Sequence, residues 1–247
     1  MPSKNTLVPL GTIAGASLRL LSAPLQPSQR VREPVKPTTG RVVGHFPSVK
    51  NNRMIAWESQ LEQKACYTFE FSSVVSSFRE QPTTIFYEYL GSLKRYTPDF
   101  ELTLSTGESV YVEIKPAEKL KNVELKNKLQ AISNFWKRAG FAFVVITDEE
   151  LNQPIFQSNL KLLRNYLRVS CHTELIQLSR HWMQQQAEPT LGDLIQYLGS
   201  PKKAYALIVK NHIQINLFVA ISADSQITTE KNHETCFFSY RIAPDFE

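Results

Sequence analysis

Residues 97–115 read TPDFELTLSTGESVYVEIK, and the alternation inside this run decides the fold. Two short segments of period-two apolar pattern, 100–104 and 110–114, flank a polar loop holding Gly107, which predicts a β-hairpin. Asp99 stands at the start of the first predicted strand, and Glu113 and Lys115 stand two apart on the second. Side chains at i and i+2 share a face of a strand, so the carboxylate and the ammonium project together. Neighbouring strands run about 4.8 Å apart, close enough for Asp99 to converge on Glu113. Two converging carboxylates with a lysine beside them form a donor set for one divalent cation.

That set suits metal-dependent hydrolysis of a phosphodiester. Mg²⁺ takes near-octahedral oxygen ligation and keeps several waters, so one or two protein carboxylates suffice. The backbone carbonyl of Ile114 is a candidate third ligand, and Mn²⁺ is an expected substitute for Mg²⁺. The metal would polarise a phosphoryl oxygen and acidify a water, with Lys115 positioning that water or offsetting transition-state charge. Bonds this slow to hydrolyse need a barrier reduction of roughly 20 kcal/mol, which no single residue supplies. The pattern Pro-Asp, thirteen residues, Glu-x-Lys resembles the PD-(D/E)xK nuclease superfamily. In isolation a Glu-x-Lys on a strand equally describes a solvated face, so the surrounding motifs carry the weight.

Upstream, a helix is predicted from about residue 56 to about residue 70, with Trp57, Leu61, Ala65 and Phe69 on one apolar face. It carries the acids Glu58 and Glu62. An apolar run at 74–78 and a strand at 84–89 follow. The ordered motifs ESQLE (58–62), FREQP (78–82), RYTPDF (95–100), VEIKPAEKL (112–120) and VVITDEELN (144–152) resemble the TnsA family, and FPSVKNNRM (46–54) is similar to some of its members. TnsA proteins are the endonuclease subunits of heteromeric cut-and-paste transposases. The resemblance covers about 42–155 and implies a restriction-endonuclease-like α/β core, a mixed sheet flanked by helices.

Carried over by position, the resemblance makes Glu62 the helical catalytic glutamate and a further candidate metal ligand. It makes Asp99 the metal-binding aspartate, Glu113 the second ligand and Lys115 the catalytic lysine. Glu58 lies one turn from Glu62, and the family register favours Glu62. Family function implies hydrolysis at the 5′ ends of a transposon in double-stranded DNA, beside a DDE-class transposase that cuts and joins the 3′ ends. The alternatives are a catalytically idle adaptor bridging transposase and ATPase, and a standalone restriction or repair nuclease. Gln81 reads either as a turn residue or as a hydrogen-bonding contributor to the site. Asp148, Glu149 and Glu150 read as the N-terminal cap of a short helix after the strand 141–147.

Charge is unevenly spread. The chain has 247 residues, a formal net charge of +5 and 42% hydrophobic residues, enough for a sizeable core. Residues 1–50 hold seven Lys/Arg against Glu33 as their one acid, and half of the 14 prolines. Residues 1–41 therefore read as a basic, Pro-rich flexible arm, either contacting phosphates or simply solvated. The apolar stretch 7–25 is broken by Pro9, Gly11, Gly15 and Arg19 and is expected neither to span a membrane nor to act as a secretion signal. Cys66, Cys171 and Cys236 follow no disulfide or zinc spacing, and a reducing, cytoplasmic setting is expected. With the resemblance, that becomes a prokaryotic protein associated with the nucleoid when active.

Pro116 ends the second hairpin strand, and a lysine-rich helix is predicted over 118–139. Its stripe is Leu120, Leu125, Leu129, Ile132 and Trp136, with Lys119, Lys121, Lys126, Lys128 and Lys137 on the wet side. The strand at 141–147 then completes a βαβ crossover. Beyond residue 155 the pattern changes. Helices are predicted over 160–168, 173–185 and 191–198, the last capped by Thr190, and another begins at Ser200-Pro201. Strands over 213–220 and 236–240 complete a helix, turn, helix and hairpin order, so 156–247 reads as a winged-helix-like domain. The TnsA resemblance implies that this domain docks on a regulator AAA+ ATPase, and its second short helix, with Ala204, Tyr205, Leu207 and Ile208 among Lys202, Lys203 and Lys210, favours docking over base reading.

Overall fold

The computed structural model describes residues 42–230 together with two strand segments nearer the N-terminus, β1 (Val8–Pro9) and β2 (Arg19–Leu21). Apart from those segments, the arm expected over 1–41 lies outside the described residues, as do Cys236 and the strand expected at 236–240. The described chain divides into two compact units, one of residues 42–70 and 74–151 with β1 and β2, the other of 71–73 and 152–230.

The first unit is mixed α/β. It opens with a hairpin of β3 (Gly44–Ser48) and β4 (Arg53–Trp57), paired from Gly44↔Trp57 to Ser48↔Arg53. The helix α1 (Gln60–Phe71) follows, so the predicted helix starts four residues late. Ala56 and Trp57 are strand residues, because the Trp57 indole lies over Gly44, where a Cβ would collide with it. Ser59 sets the true start: its Oγ accepts the N–H of Glu62 at 3.1 Å, as an N-cap side chain does.

Next come β5 (Val75–Glu80), β6 (Thr84–Tyr89), β7 (Ser92–Tyr96), β8 (Phe100–Leu104) and β9 (Ser109–Ile114). A 3₁₀ turn at Ala117–Lys121 leads to α2 (Val123–Arg138), then β10 (Ala142–Ile146) and α3 (Asp148–Leu151). The helix predicted from 118 thus begins at 123, where the Asn122 side chain accepts the Leu125 N–H and resets the chain from 3₁₀ to α.

The mixed central sheet runs β10-β9-β8-β5, parallel at β10/β9 and antiparallel elsewhere. The predicted hairpin is β8–β9, with Gly107 at φ +89° in its turn. The β9–α2–β10 crossover gives the parallel pair. A second sheet, β1-β2-β6-β7, has β7 at its edge. Period-two alternation sends Phe78 and Phe100 to one face of the central sheet, where both meet Phe69 of α1 edge-on. It sends Tyr111 to the other face, stacked on Trp136 of α2 at 3.7 Å. Ile85, Tyr87, Tyr96, Leu129, Ile132 and Phe135 extend that second core.

Glu80 ends β5 almost wholly buried. It accepts two N–H groups of Arg53 at 3.0 and 2.6 Å and the Ala56 N–H at 3.1 Å, pinning the β3–β4 hairpin to the sheet. Buried Glu70 does the same for the turn of that hairpin, accepting from Ser48 Oγ and from the N–H groups of Val49 and Lys50. Thr147 and Glu150 cap α3 reciprocally, the capping expected of that acidic run, although Asp148 is turned to another use.

The second unit holds α4 (Pro154–Arg164), α5 (Thr173–Gln184), α6 (Leu191–Leu198), α7 (Pro201–Val209), β11 (Gln214–Ile215) and β12 (Ile227–Thr228). Thr190 caps α6 and Pro201 opens α7, both as the sequence predicts, and the structure adds Asp193 as the partner that completes a capping box with Thr190. The helix expected at 160–168 instead begins at Pro154, a residue well suited to a first helical position. The strand expected over 213–220 shortens to two residues, because side-chain amides bend the chain. Asn216 Oδ1 accepts from Phe218 N–H, and Asn159 Nδ2 donates to the carbonyls of Leu217 and Val219. The partner of β11 is β12. Leu191, Leu194, Ala204, Leu207, Ile213, Ile215 and Ile227 close a separate core.

Candidate active site

The β8–β9 register determines where the site forms. Phe100 pairs with Val112, so Asp99, just before β8, stands opposite Glu113. Asp99 Oδ2 accepts the Ile114 N–H at 2.8 Å, which fixes the carboxylate against the end of β9. Glu113 is buried; Tyr96 Oη, at the root of β7, donates to its Oε2 at 2.5 Å. Lys115 turns back onto both acids. Its Nζ forms an ion pair with Glu113 Oε1, lies 3.8 Å from Asp99 Oδ2 and donates to the Ile114 carbonyl at 3.3 Å. The three oxygens expected to bind a metal therefore gather about one ammonium.

The chain leaving β9 is tied to the end of β10 and the start of α3. Lys115 N–H donates to the Ile146 carbonyl at 3.0 Å, and Asp148 Oδ1 accepts the Ala117 N–H at 2.6 Å. Asp148 is thus a tether that fixes the exit from β9.

The electrostatics follow from crowding acids in a partly dry place. Burial and the Glu113 charge push the Asp99 carboxyl well above the ordinary aspartate range, against the pull of Lys115. Burial by itself would lower Lys115, but the Glu113 and Asp99 carboxylates outweigh it and hold the ammonium above its ordinary value. Burial, then the neighbouring Glu113 and Asp99 charges, raise Tyr96 far above the usual phenol, so it stays a donor. This pocket of negative charge needs a cation, and Lys115 supplies one.

Glu62 stands apart from the contacts. Its Oε2 accepts the Glu58 N–H at 2.8 Å and its Oε1 accepts from Ser59 Oγ at 2.9 Å, so both oxygens serve the start of α1. It is still in the field of the site: burial raises its carboxyl while Lys115 draws it down. Asp99, Glu113 and Lys115 are brought together; Glu62 is a neighbour within electrostatic range.

Gln81 and Tyr96 are the additions. Gln81 adopts φ +45°, a left-handed conformation costly for a side chain with a Cβ, and its N–H donates to the Asp99 carbonyl at 2.8 Å. Its Nε2 donates to Glu58 Oε1 at 3.0 Å, and its buried Oε1 has no hydrogen-bond partner among the described residues. The sequence left Gln81 open between turn and site; the residue turns the chain and bonds to Asp99 and Glu58. Tyr96 carried no periodic signal that would single it out.

The donor set fits Mg²⁺. It consists of two carboxylates and a carbonyl, all hard oxygens, with charge left to compensate. Among the described residues no group of three or more His, Cys, Asp or Glu assembles a closed metal cage, so any ion here would keep waters. Cys66 is a buried free thiol and Cys171 a partly exposed one. Among the described residues no helix is long and apolar enough to cross a membrane.

Comparison with protein families places residues 72–148 in a match to the family described as TnsA-like endonuclease N terminal. The matched segment includes Gln81, Tyr96, Asp99, Glu113 and Lys115, and begins after Glu62. No curated protein matches the chain.

Proposed function

We propose that this chain, whose residues 72–148 are a TnsA-like endonuclease domain, is the metal-dependent DNA endonuclease of a transposition system. The observation that carries the reading is the convergence of Asp99, Glu113 and the Ile114 carbonyl on Lys115 Nζ inside that domain. Asp99, Glu113 and the Ile114 carbonyl would hold Mg²⁺, with Mn²⁺ as a substitute. When bound, the ion polarises the phosphodiester and lowers the pKa of a water.

The residues of the chain do the rest. Tyr96 and the Ile114 N–H fix the two carboxylates before substrate arrives, so the acids themselves need little reorganisation at the moment of reaction. Lys115 keeps its proton and presents positive charge at Nζ, where it offsets the charge that develops on the phosphate. Gln81 holds the backbone of Asp99 from behind. Glu62 shapes the field at Lys115 from the start of α1, a positioning role that differs from direct ligation.

The substrate is double-stranded DNA at transposon ends, cut at the 5′ strand, with a DDE-class transposase as partner. The second unit, with α6, α7 and the short β11–β12 pair, supports a winged-helix-like docking domain for a regulator AAA+ ATPase. A cytoplasmic location, at the nucleoid when active, accords with this reading.

The test is strand-specific cleavage of a DNA carrying transposon ends, with Mg²⁺, transposase and ATPase present, comparing wild type with Asp99→Ala. Loss of the 5′-strand cuts alone is the expected result. Identical products from the two proteins would make the chain an adaptor and overturn the assignment.

A further inference from the structure

The hairpin β6–β7 is rooted in the candidate site and has a tip that its own fold does not explain. Its two-residue turn is Leu90-Gly91, closed by the Tyr89↔Ser92 pair, with φ +49° and +69°. Two left-handed central residues make a type I′ turn, for which Asn-Gly or Asp-Gly is the favoured sequence. A branched apolar residue is costly there. Leu90 recovers nothing by burial, being 84% exposed, and Leu93 is 72% exposed. Lys94 and Arg95 follow, both exposed.

At its other end the hairpin is firm. Ile85, Tyr87 and Tyr96 pack into the core beneath α2, Thr84 and Thr97 hydroxyls bond at 2.7 Å, and Tyr96 holds Glu113. Five residues of strand at about 3.4 Å each carry the tip roughly 17 Å from the site. Half a turn of B-DNA, with about 34 Å per turn, spans the same distance.

We propose that β6–β7 is a DNA-contacting arm of the nuclease unit, with Lys94 and Arg95 on phosphates and Leu90 and Leu93 entering a groove. The inference rests on the nuclease reading above and adds to it a surface that holds duplex about half a turn from the scissile bond. Charge complementarity selects DNA. Protein-facing interface centres are depleted in lysine, whereas an apolar wedge flanked by cations is the ordinary minor-groove device. Cations on the edge strand β7 would also discourage strand pairing, but a sheet edge guarded for that purpose does not expose two leucines beside them.

The experiment measures binding of the full chain to a short labelled duplex by anisotropy, without Mg²⁺, between about 50 and 200 mM KCl. The variants are Lys94→Ser/Arg95→Ser and Leu90→Asn. The double variant is expected to bind more weakly and to lower the slope of log K against log salt by about 2, near 0.9 per lost phosphate contact. Leu90→Asn suits the turn better, so its melting temperature should rise while its affinity falls about five-fold with the slope unchanged. A tip with a purely structural role would give the first effect and not the second. Wild-type affinity and slope in both variants, or no duplex binding by wild type, would overturn the arm. Failure of the nuclease reading shows elsewhere, as identical cleavage by wild type and Asp99→Ala, so the two are separable.

Discussion

Replacing Lys115 by methionine tests whether the site is a charge-compensated metal centre or a solvated strand end. Lys115 Nζ pairs with Glu113 and lies 3.8 Å from Asp99. At an effective dielectric near 20, a unit-charge pair at that distance is worth about 4 kcal/mol gross. Lys115 and Asp99 keep 29% and 20% of their side-chain surface in solvent, so screening and desolvation leave half of it, about 2 kcal/mol.

Methionine keeps the stem length and removes the charge. In EDTA and low salt near neutral pH, Lys115→Met should melt about 4–8 °C below wild type, at 2–4 °C per kcal/mol for a chain of this size. Mg²⁺ should then return much of that loss, because the ion takes the place the ammonium left. At about ten times its Kd it contributes roughly 1.4 kcal/mol. Wild type should respond less, since its own lysine competes for the same oxygens. Cleavage should stay absent in the variant even with the metal bound. An EDTA melting temperature equal to that of wild type, together with no response to Mg²⁺, would refute the reasoning and leave Glu113–Lys115 an ion pair without a metal role.

Glu80→Gln should cost about 2 kcal/mol in urea unfolding, since it breaks a bidentate pair between buried Glu80 and half-buried Arg53; a loss under about 0.5 kcal/mol would show that the β3–β4 hairpin is held otherwise. Lys50 should give the protein a distinctive alkaline profile. Burial pulls its ammonium down from 10.5 to about 8, against the charge of Glu70. Between those values the unfolded chain binds the extra proton, so stability should rise with pH by up to about 1 kcal/mol per unit, and Lys50→Met should lack that rise in a paired measurement. Gly44→Ala should destabilise by about 1–3 kcal/mol in the same urea assay, because its Cβ would enter the Trp57 ring. A neutral result there would mean that the hairpin can shift without loss.

Local chemistry determined a good deal of this protein by itself. The 100–104 and 110–114 alternation, Gly107, and the i, i+2 spacing of Glu113 and Lys115 required a hairpin with an acid and an amine on one face, and β8–β9 has that form. Thr190 and Pro201 likewise marked helix starts from within a few residues of sequence. Such features are legible because period-two geometry and capping involve neighbours in the chain.

Tertiary structure decided the rest. Ala56 and Trp57 read as the start of a helix and became strand because Gly44, thirteen residues before Trp57, offers the face on which the indole lies. The 213–220 run read as strand and turned because Asn159, far away in sequence, takes its carbonyls. Glu62, expected as a site acid, bonds the start of α1 through both oxygens, an arrangement set by where the helix begins. Tyr96 and Gln81 reach Glu113 and Asp99 from other strands and bends, by contacts that no spacing rule encodes. The sequence could name the acids and the lysine because they share one hairpin. Only the packed sheets could supply the groups that hold them, since hydrogen-bond partners distant in the chain meet only once the core is closed.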